Sequence, residues 1–202
     1  MAHGPQYKVP FRRRRESKTD YLARRRMVGS GRPRFVVRKT STRIIVQIME
    51  ALPEGDRCIA VADSRQLSQF GWRAGMKNLP AAYLTGYLAG HRALQSGINA
   101  AIVDIGLIQP IPGSRIFSAV KGAIDAGLSV PCSDKMLPGE KRLRGEHIAG
   151  YAKDLSKNQP STFERQFGKV SKGRTDLTQL PNMYETTKKQ IESKFTRGRS
   201  TQ

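Results

Sequence analysis

The sequence predicts a mixed α/β domain held between two basic extensions. Charge is the first reason. The 202 residues hold 36 Lys and Arg against 16 Asp and Glu, a net +20, yet residues 44–134 are neutral while residues 8–43 carry +12 and residues 135–202 carry +8. A neutral middle rich in Ile, Val, Leu and Ala can form a core, and charged flanks cannot. Periodicity is the second: apolar residues alternate over Arg34–Thr40 and Arg43–Glu50, then recur at helical spacing after Pro80. Order is the third. Three strand-like runs precede a helix, strand, helix, strand succession, so three antiparallel strands come first and parallel strands with right-handed helical crossovers follow.

Each element follows from local chemistry. Residues 1–16 read as an extended arm, because Gly4, Pro5 and Pro10 oppose helix and four consecutive arginines repel one another. Ser17 with Asp20 three positions on fits a helix start, and the helix runs to Val28 before Gly29, Gly31 and Pro33. It has little apolar face, so it needs a partner to steady it. Phe35 and Val37 share one strand face, and Ile44, Val46 and Ile48 another, with Ser41 and Thr42 closing a hairpin. Pro53-Glu54-Gly55 turns the chain into a third strand over Arg57–Ala62, and Asp63–Leu79 is irregular around Trp72.

Pro80 opens a helix closed by Gly97, with an apolar band of Tyr83, Leu84, Tyr87, Leu88 and Leu94. Gly86 and Gly90 predict close packing on the sheet. Ala100–Ile105 reads as a buried strand, a second helix starts at Ser114 or Arg115 and ends near Gly127, and Leu128–Cys132 is a last short strand. The extension shows two amphipathic pieces, Ser161–Phe167 and Asn182–Phe195, with no large core of its own and with Phe163, Phe167, Met183 and Tyr184 as candidate anchors. A disordered tail and a tail that orders on RNA both fit it. Three parts result: a basic arm (1–33), a globular domain (34–134) and a basic extension (135–202).

Several function classes lose support. No apolar run approaches the roughly 20 residues of a membrane span, and the basic, polar N-terminus lacks the apolar centre of a cleavable signal. Cys58 and Cys132 lie far apart and leave a single disulfide open, but they read better as two small buried thiols of a reducing cytosol. His3, His91 and His147 have no metal-ligand spacing, and His91 borders an apolar band as a packed residue. No dinucleotide or phosphate-loop motif is present, so no cofactor, metal or small-molecule substrate is expected. Asp63, Asp104, Asp125 and Asp134 raise the alternative of a two-metal nuclease. Asp104 fits a strand-end acceptor equally well, and Asp63 a cap, so no catalytic residue is expected. A DNA architectural protein is a second alternative.

A chain of +20 needs a polyanion to relieve its self-repulsion. The first arm favours Arg over Lys, and guanidinium groups grip phosphate with two bonds and stack on bases. Tyr7, Phe11 and Tyr21 are interleaved with them and offer faces to exposed bases. The expected RNA-binding residues are Tyr7, Lys8, Arg12, Arg13, Arg14, Arg15, Lys18, Tyr21, Arg24, Arg25, Arg26, Arg32, Arg34, Arg38, Lys39, Arg43, Lys141, Arg142 and Arg144.

Several longer motifs carry a resemblance. They are Gly4-Pro5-Gln6-Tyr7-Lys8-Val9-Pro10 with the four arginines after it, Lys18-Thr19-Asp20-Tyr21, Gly31-Arg32-Pro33-Arg34, Ala82-Tyr83-Leu84-Thr85-Gly86, Asp104-Ile105-Gly106-Leu107 and Gly122-Ala123-Ile124-Asp125-Ala126-Gly127-Leu128. Together they resemble the archaeal form of the large-subunit ribosomal protein L-eighteen family, over residues 3–195. The resemblance implies a ribonuclease-H-like sheet without its catalysis and a basic arm laid on 5S rRNA and large-subunit (23S-type) rRNA. It implies neighbours among the large-subunit ribosomal proteins, including the other 5S rRNA-binding protein, and a cytoplasmic location in that subunit. Residues 135–195 correspond to the extension of archaeal members, and Thr196–Gln202 matches nothing in the family.

Overall fold

The computed structural model describes residues 4–171 and 175–197. Four strands form one mixed sheet: β1 (Arg34–Lys39), β2 (Ile44–Leu52), β3 (Gly55–Asp63) and β4 (Ile102–Asp104), in the order β3-β2-β1-β4. β1 pairs antiparallel with β2 and parallel with β4, as the alternation and element order require. Phe35, Val37, Ile44, Val46, Ile48, Ala60 and Ala62 point to one face and are buried there. The fifth strand expected over Leu128–Cys132 is reduced to a single parallel bridge, Ala100 to Ser129. Pro131 explains the loss. The next rung of a parallel ladder needs its N–H, which proline lacks.

Helix α3 (Leu79–Gln95) is capped by Asn78, whose side chain accepts from the Ala81 N–H, with Pro80 in the first turn. The expected apolar band was too narrow: every residue from Leu79 to Gly90 is buried. A helix apolar all round must be enclosed on all sides. The sheet covers one side of α3, α4 (Arg115–Asp125) another, and the C-terminal extension a third. Gly86 and Gly90 do pack closely, but against α4 and not against the sheet. A Cβ on Gly86 would sit 1.9 Å from the Ala119 carbonyl oxygen, and one on Gly122 would sit 2.1 Å from that of Tyr83. The two helix backbones therefore touch through glycines.

The extension is more ordered than either reading of it allowed. It forms α5 (Glu140–Arg144), α6 (Glu146–Asn158), α7 (Pro160–Ser171) and α8 (Leu180–Arg197). It has no separate core, as expected. Its apolar residues Leu143, Ala152, Leu177, Leu180, Tyr184 and Ile191 join the core of the domain. Tyr184 and Met183 act as anchors, with Tyr184 buried against Tyr83 at 5.4 Å, while Phe163 and Phe167 pack on one another at 5.6 Å.

Smaller corrections concern single residues. The cap of α2 (Tyr21–Gly29) is Asp20, which accepts from the Leu22 and Ala23 N–H groups; Ser17 instead takes a left-handed backbone before it. Asp63 caps a 3₁₀ turn, Ser64–Phe70, with Gln66 completing a reciprocal capping box. Cys58 is exposed and Cys132 half-buried; both are free thiols, and neither is the buried residue expected. His91 is packed as anticipated, stacked on Phe195 at 5.1 Å. His3 and residues 198–202 lie outside the described residues. Among the described residues, no helix is long and apolar enough to cross a membrane.

Candidate nucleic-acid interface

The arm folds back on itself before it reaches the sheet. Arg12–Arg15 make one helical turn, α1, held by backbone bonds from Arg14 and Arg15 N–H to the Phe11 carbonyl. The Phe11 ring rests against Tyr21 at 4.9 Å, and Arg13 Nε donates to Thr19 Oγ1 at 2.8 Å, so α1 is fastened to the start of α2. Glu16 pairs on the surface with Arg12 at 3.8 Å and with Lys18 at 2.9 Å, and beyond these contacts the arm is open. Tyr7, Val9 and Phe11 are largely exposed, as are Lys8 and all four arginines of α1. Exposed aromatics beside exposed guanidinium groups give stacking faces and phosphate forks on one segment.

Below the arm runs a chain of ion pairs with the buried pair Arg34–Asp104 at its centre. Arg24 of α2 meets Asp56 of β3 at 2.8 Å. Arg34 of β1, only 5% exposed, meets the same Asp56 at 2.6 Å and Asp104 of β4 at 3.0 Å. Arg38 takes the other Asp104 oxygen at 2.8 Å and the Asp104 carbonyl at 2.7 Å. Arg43 pairs separately with Asp63 at 2.9 Å. Burial opposes ionisation of Asp104, but the hydrogen bond and charge of Arg38, the Gly106 N–H and Arg34 outweigh it and hold its carboxyl below the ordinary range. Asp56 is likewise held low: burial opposes its charge, and Arg34 and then Arg24 overcome that. This chain is what steadies α2, whose own apolar face is too small to dock it.

The expected site residues therefore divide into two groups. Arg24, Arg34, Arg38 and Arg43 are engaged with carboxylates of the fold. Tyr7, Lys8, Arg12, Arg13, Arg14, Arg15, Lys18, Arg25, Arg26, Arg32 and Lys39 are exposed, and Tyr21 is half-buried under Phe11. Lys141, Arg142 and Arg144 are exposed on α5, where Arg144 makes a loose pair with Glu185 at 3.5 Å. Between arm and sheet lies a cleft of about 330 Å³ lined by Arg13, Lys18, Arg24, Arg38 and the Asp104–Ile108 loop. Sequence reasoning missed that Asp56 and Asp104 organise the arginines. Composition did not single them out, since residues 44–134 hold seven acids and these two lie 32 and 70 residues from Arg24 and Arg34. Asp104 is also poorly placed for nuclease chemistry, since both its oxygens are taken by guanidinium groups. Among the described residues, no group of three His, Cys, Asp or Glu could hold a metal ion.

Residues 5–101 match the family described as "Ribosomal large subunit proteins 60S L5, and 50S L18". Proteins named large ribosomal subunit protein uL18 match almost end to end. That of Staphylothermus marinus is 53% identical over 95% of both chains. That of Thermofilum pendens is 48% identical over 95% of this chain and 98% of its own. That of Aeropyrum pernix is 48% identical over 96% and 92%. The class these comparisons define is the structural protein of the large ribosomal subunit, cytoplasmic and not an enzyme. Within that class, the chain belongs to the uL18 family.

Proposed function

We propose that this protein binds 5S rRNA through its N-terminal arm and helps attach it to the large-subunit rRNA at the central protuberance. On this reading its neighbours are other large-subunit ribosomal proteins, the second 5S rRNA-binding protein among them. The observation that carries it is the division of the arginines. Arg24 ties α2 to Asp56 of the sheet, Arg34 and Arg38 are held by Asp56 and Asp104 within it, and Arg12–Arg15, Arg25, Arg26 and Arg32 remain exposed beside Tyr7 and Phe11. A guanidinium already held by carboxylates positions the arm; an exposed one is free to take phosphate. The three parts then have distinct duties. Residues 1–33 contact RNA, residues 34–134 are the platform, and residues 135–202 brace α3 and present Lys141, Arg142 and Arg144 to RNA.

The test is the salt dependence of binding. Each phosphate contact releases counterions, so log affinity falls linearly with log salt at roughly 0.7–0.9 per contact. For 5S rRNA the full chain should show a slope of several units, cut sharply when Arg12, Arg13, Arg14 and Arg15 become Gln. A slope near zero, or one the arm substitutions leave intact, would remove the arm from the interface.

A further inference from the structure

A second basic cleft lies away from the arm helices. Lys39 at the end of β1, Lys77 ahead of α3, Arg115 in the first turn of α4 and Arg142 on α5 line a space of about 420 Å³. Among the described residues no Asp or Glu lines it, although residues 44–134, which supply Lys77 and Arg115, hold as many acids as bases. Among the described residues, none of these four cations forms an ion pair. Lys77 Nζ donates to the Ser41 carbonyl at 3.0 Å and Arg115 Nη1 to the Lys77 carbonyl at 3.3 Å, so backbone contacts fix two of the heads without neutralising them. Burial first, and then the charge of Arg142, hold the imidazole of His147 in the same wall below its ordinary pKa.

The adjoining cleft has the opposite character. It measures about 460 Å³, shares Asn78, His147 and Ile148 with the basic cleft, and is otherwise lined by Gly75, Tyr151, Gln166, Phe167 and Leu177. Tyr151 is 48% exposed, and its ring meets Phe167 edge-on at 6.1 Å. Ile108 belongs both to the basic cleft and to the one beneath the arm, so a single strand leaving the arm can continue here.

We propose that the paired clefts capture one unstacked nucleotide of ribosomal RNA, its base against Tyr151 and its phosphate on Lys77, Arg115 and Arg142. This rests on the reading of the chain as an rRNA-binding protein. A nucleotide joins a phosphate to a planar, largely apolar ring, which matches four unpaired cations next to an aromatic cleft. An acidic peptide would satisfy the cations and leave the aromatic wall without a purpose.

The experiment titrates the full chain with 5S rRNA and, separately, with large-subunit rRNA. Tyr151→Leu should weaken binding to one of them about tenfold at unchanged salt slope, because stacking carries no charge; Tyr151→Phe should retain it. Lys77→Gln with Arg115→Gln should lower the slope for the same RNA by roughly two contacts. Should that pair disturb folding, Lys39→Glu with Arg142→Glu tests the same cleft with exposed side chains. If the wild type and the arm variants behave as described above but neither RNA senses Tyr151 or the cleft cations, the nucleotide site is wrong and the arm reading stands. If the cleft variants abolish binding of a polyglutamate peptide and leave both RNAs unaffected, the cleft docks protein and the proposal fails.

Discussion

Replacing Asp104 by Asn separates a structural carboxylate from every other role it could have. The substitution keeps the shape and removes the charge facing Arg34 and Arg38. Removing one partner of a buried pair typically costs 3–5 kcal/mol, because a charge is left without compensation. Here Arg34 keeps Asp56 at 2.6 Å, and Arg38 is 41% exposed and can turn to water. The cost should fall at the low end, about 3 kcal/mol. For a chain of this size that is a drop of about 6–12 °C in Tm. The pH dependence has a definite sign. The Asp104 carboxyl is held below its ordinary value, so its contribution is complete above the unfolded pKa and is lost as pH falls through the folded one. Thermal melts of both proteins by circular dichroism should show a constant gap near neutrality that closes in acid. Equal melting temperatures at neutral pH, or a gap that persists when the carboxyl is protonated, would refute the ion-pair account.

Other perturbations follow from packing and from the arm. Gly86→Ala gains about 1 kcal/mol of helix propensity, but its methyl would meet the Ala119 backbone, so denaturant unfolding should show a net loss of about 3 kcal/mol. Gly150→Ala, with open space around its Cβ, is the control and should be neutral or slightly stabilising. Ile191→Ala should cost about 3 kcal/mol, because that side chain is fully buried in the domain core although it belongs to the extension. Changing Arg12, Arg13, Arg14 and Arg15 to Lys keeps the charge, yet filter binding at fixed salt should show affinity for 5S rRNA falling more than about tenfold, since ammonium groups lack the bidentate fork.

What the sequence disclosed depended on how local the signal was. The hairpin of β1 and β2 was legible because Phe35, Val37, Ile44, Val46 and Ile48 alternate without interruption. The start of α3 was legible because Pro80 and Asn78 mark it chemically. The role of α8 was hidden by composition. Its buried stripe runs Leu180, Tyr184, Thr187, Ile191, a helical spacing broken to the eye by one threonine and by the charges around it. Admitting Thr187 as a core residue would have exposed the stripe. Gly86 and Gly90 announced close approach, but a glycine pair carries no information about which surface approaches. The site was half legible for the same reason. Arginine-rich segments advertise RNA, while the partition into free and paired arginines is set by Asp56 and Asp104, 32 and 70 residues away from their partners Arg24 and Arg34.

The central claim is that the exposed arm lies on 5S rRNA. Ultraviolet crosslinking of assembled large subunits, followed by mass spectrometry of the nucleotide-bearing peptides, addresses it directly. Peptides containing Tyr7, Phe11 and Arg12–Arg15 should carry 5S rRNA nucleotides, and peptides of the inward face of the sheet should carry none. Arm peptides linked only to large-subunit rRNA, with 5S rRNA found elsewhere on the chain, would contradict the account.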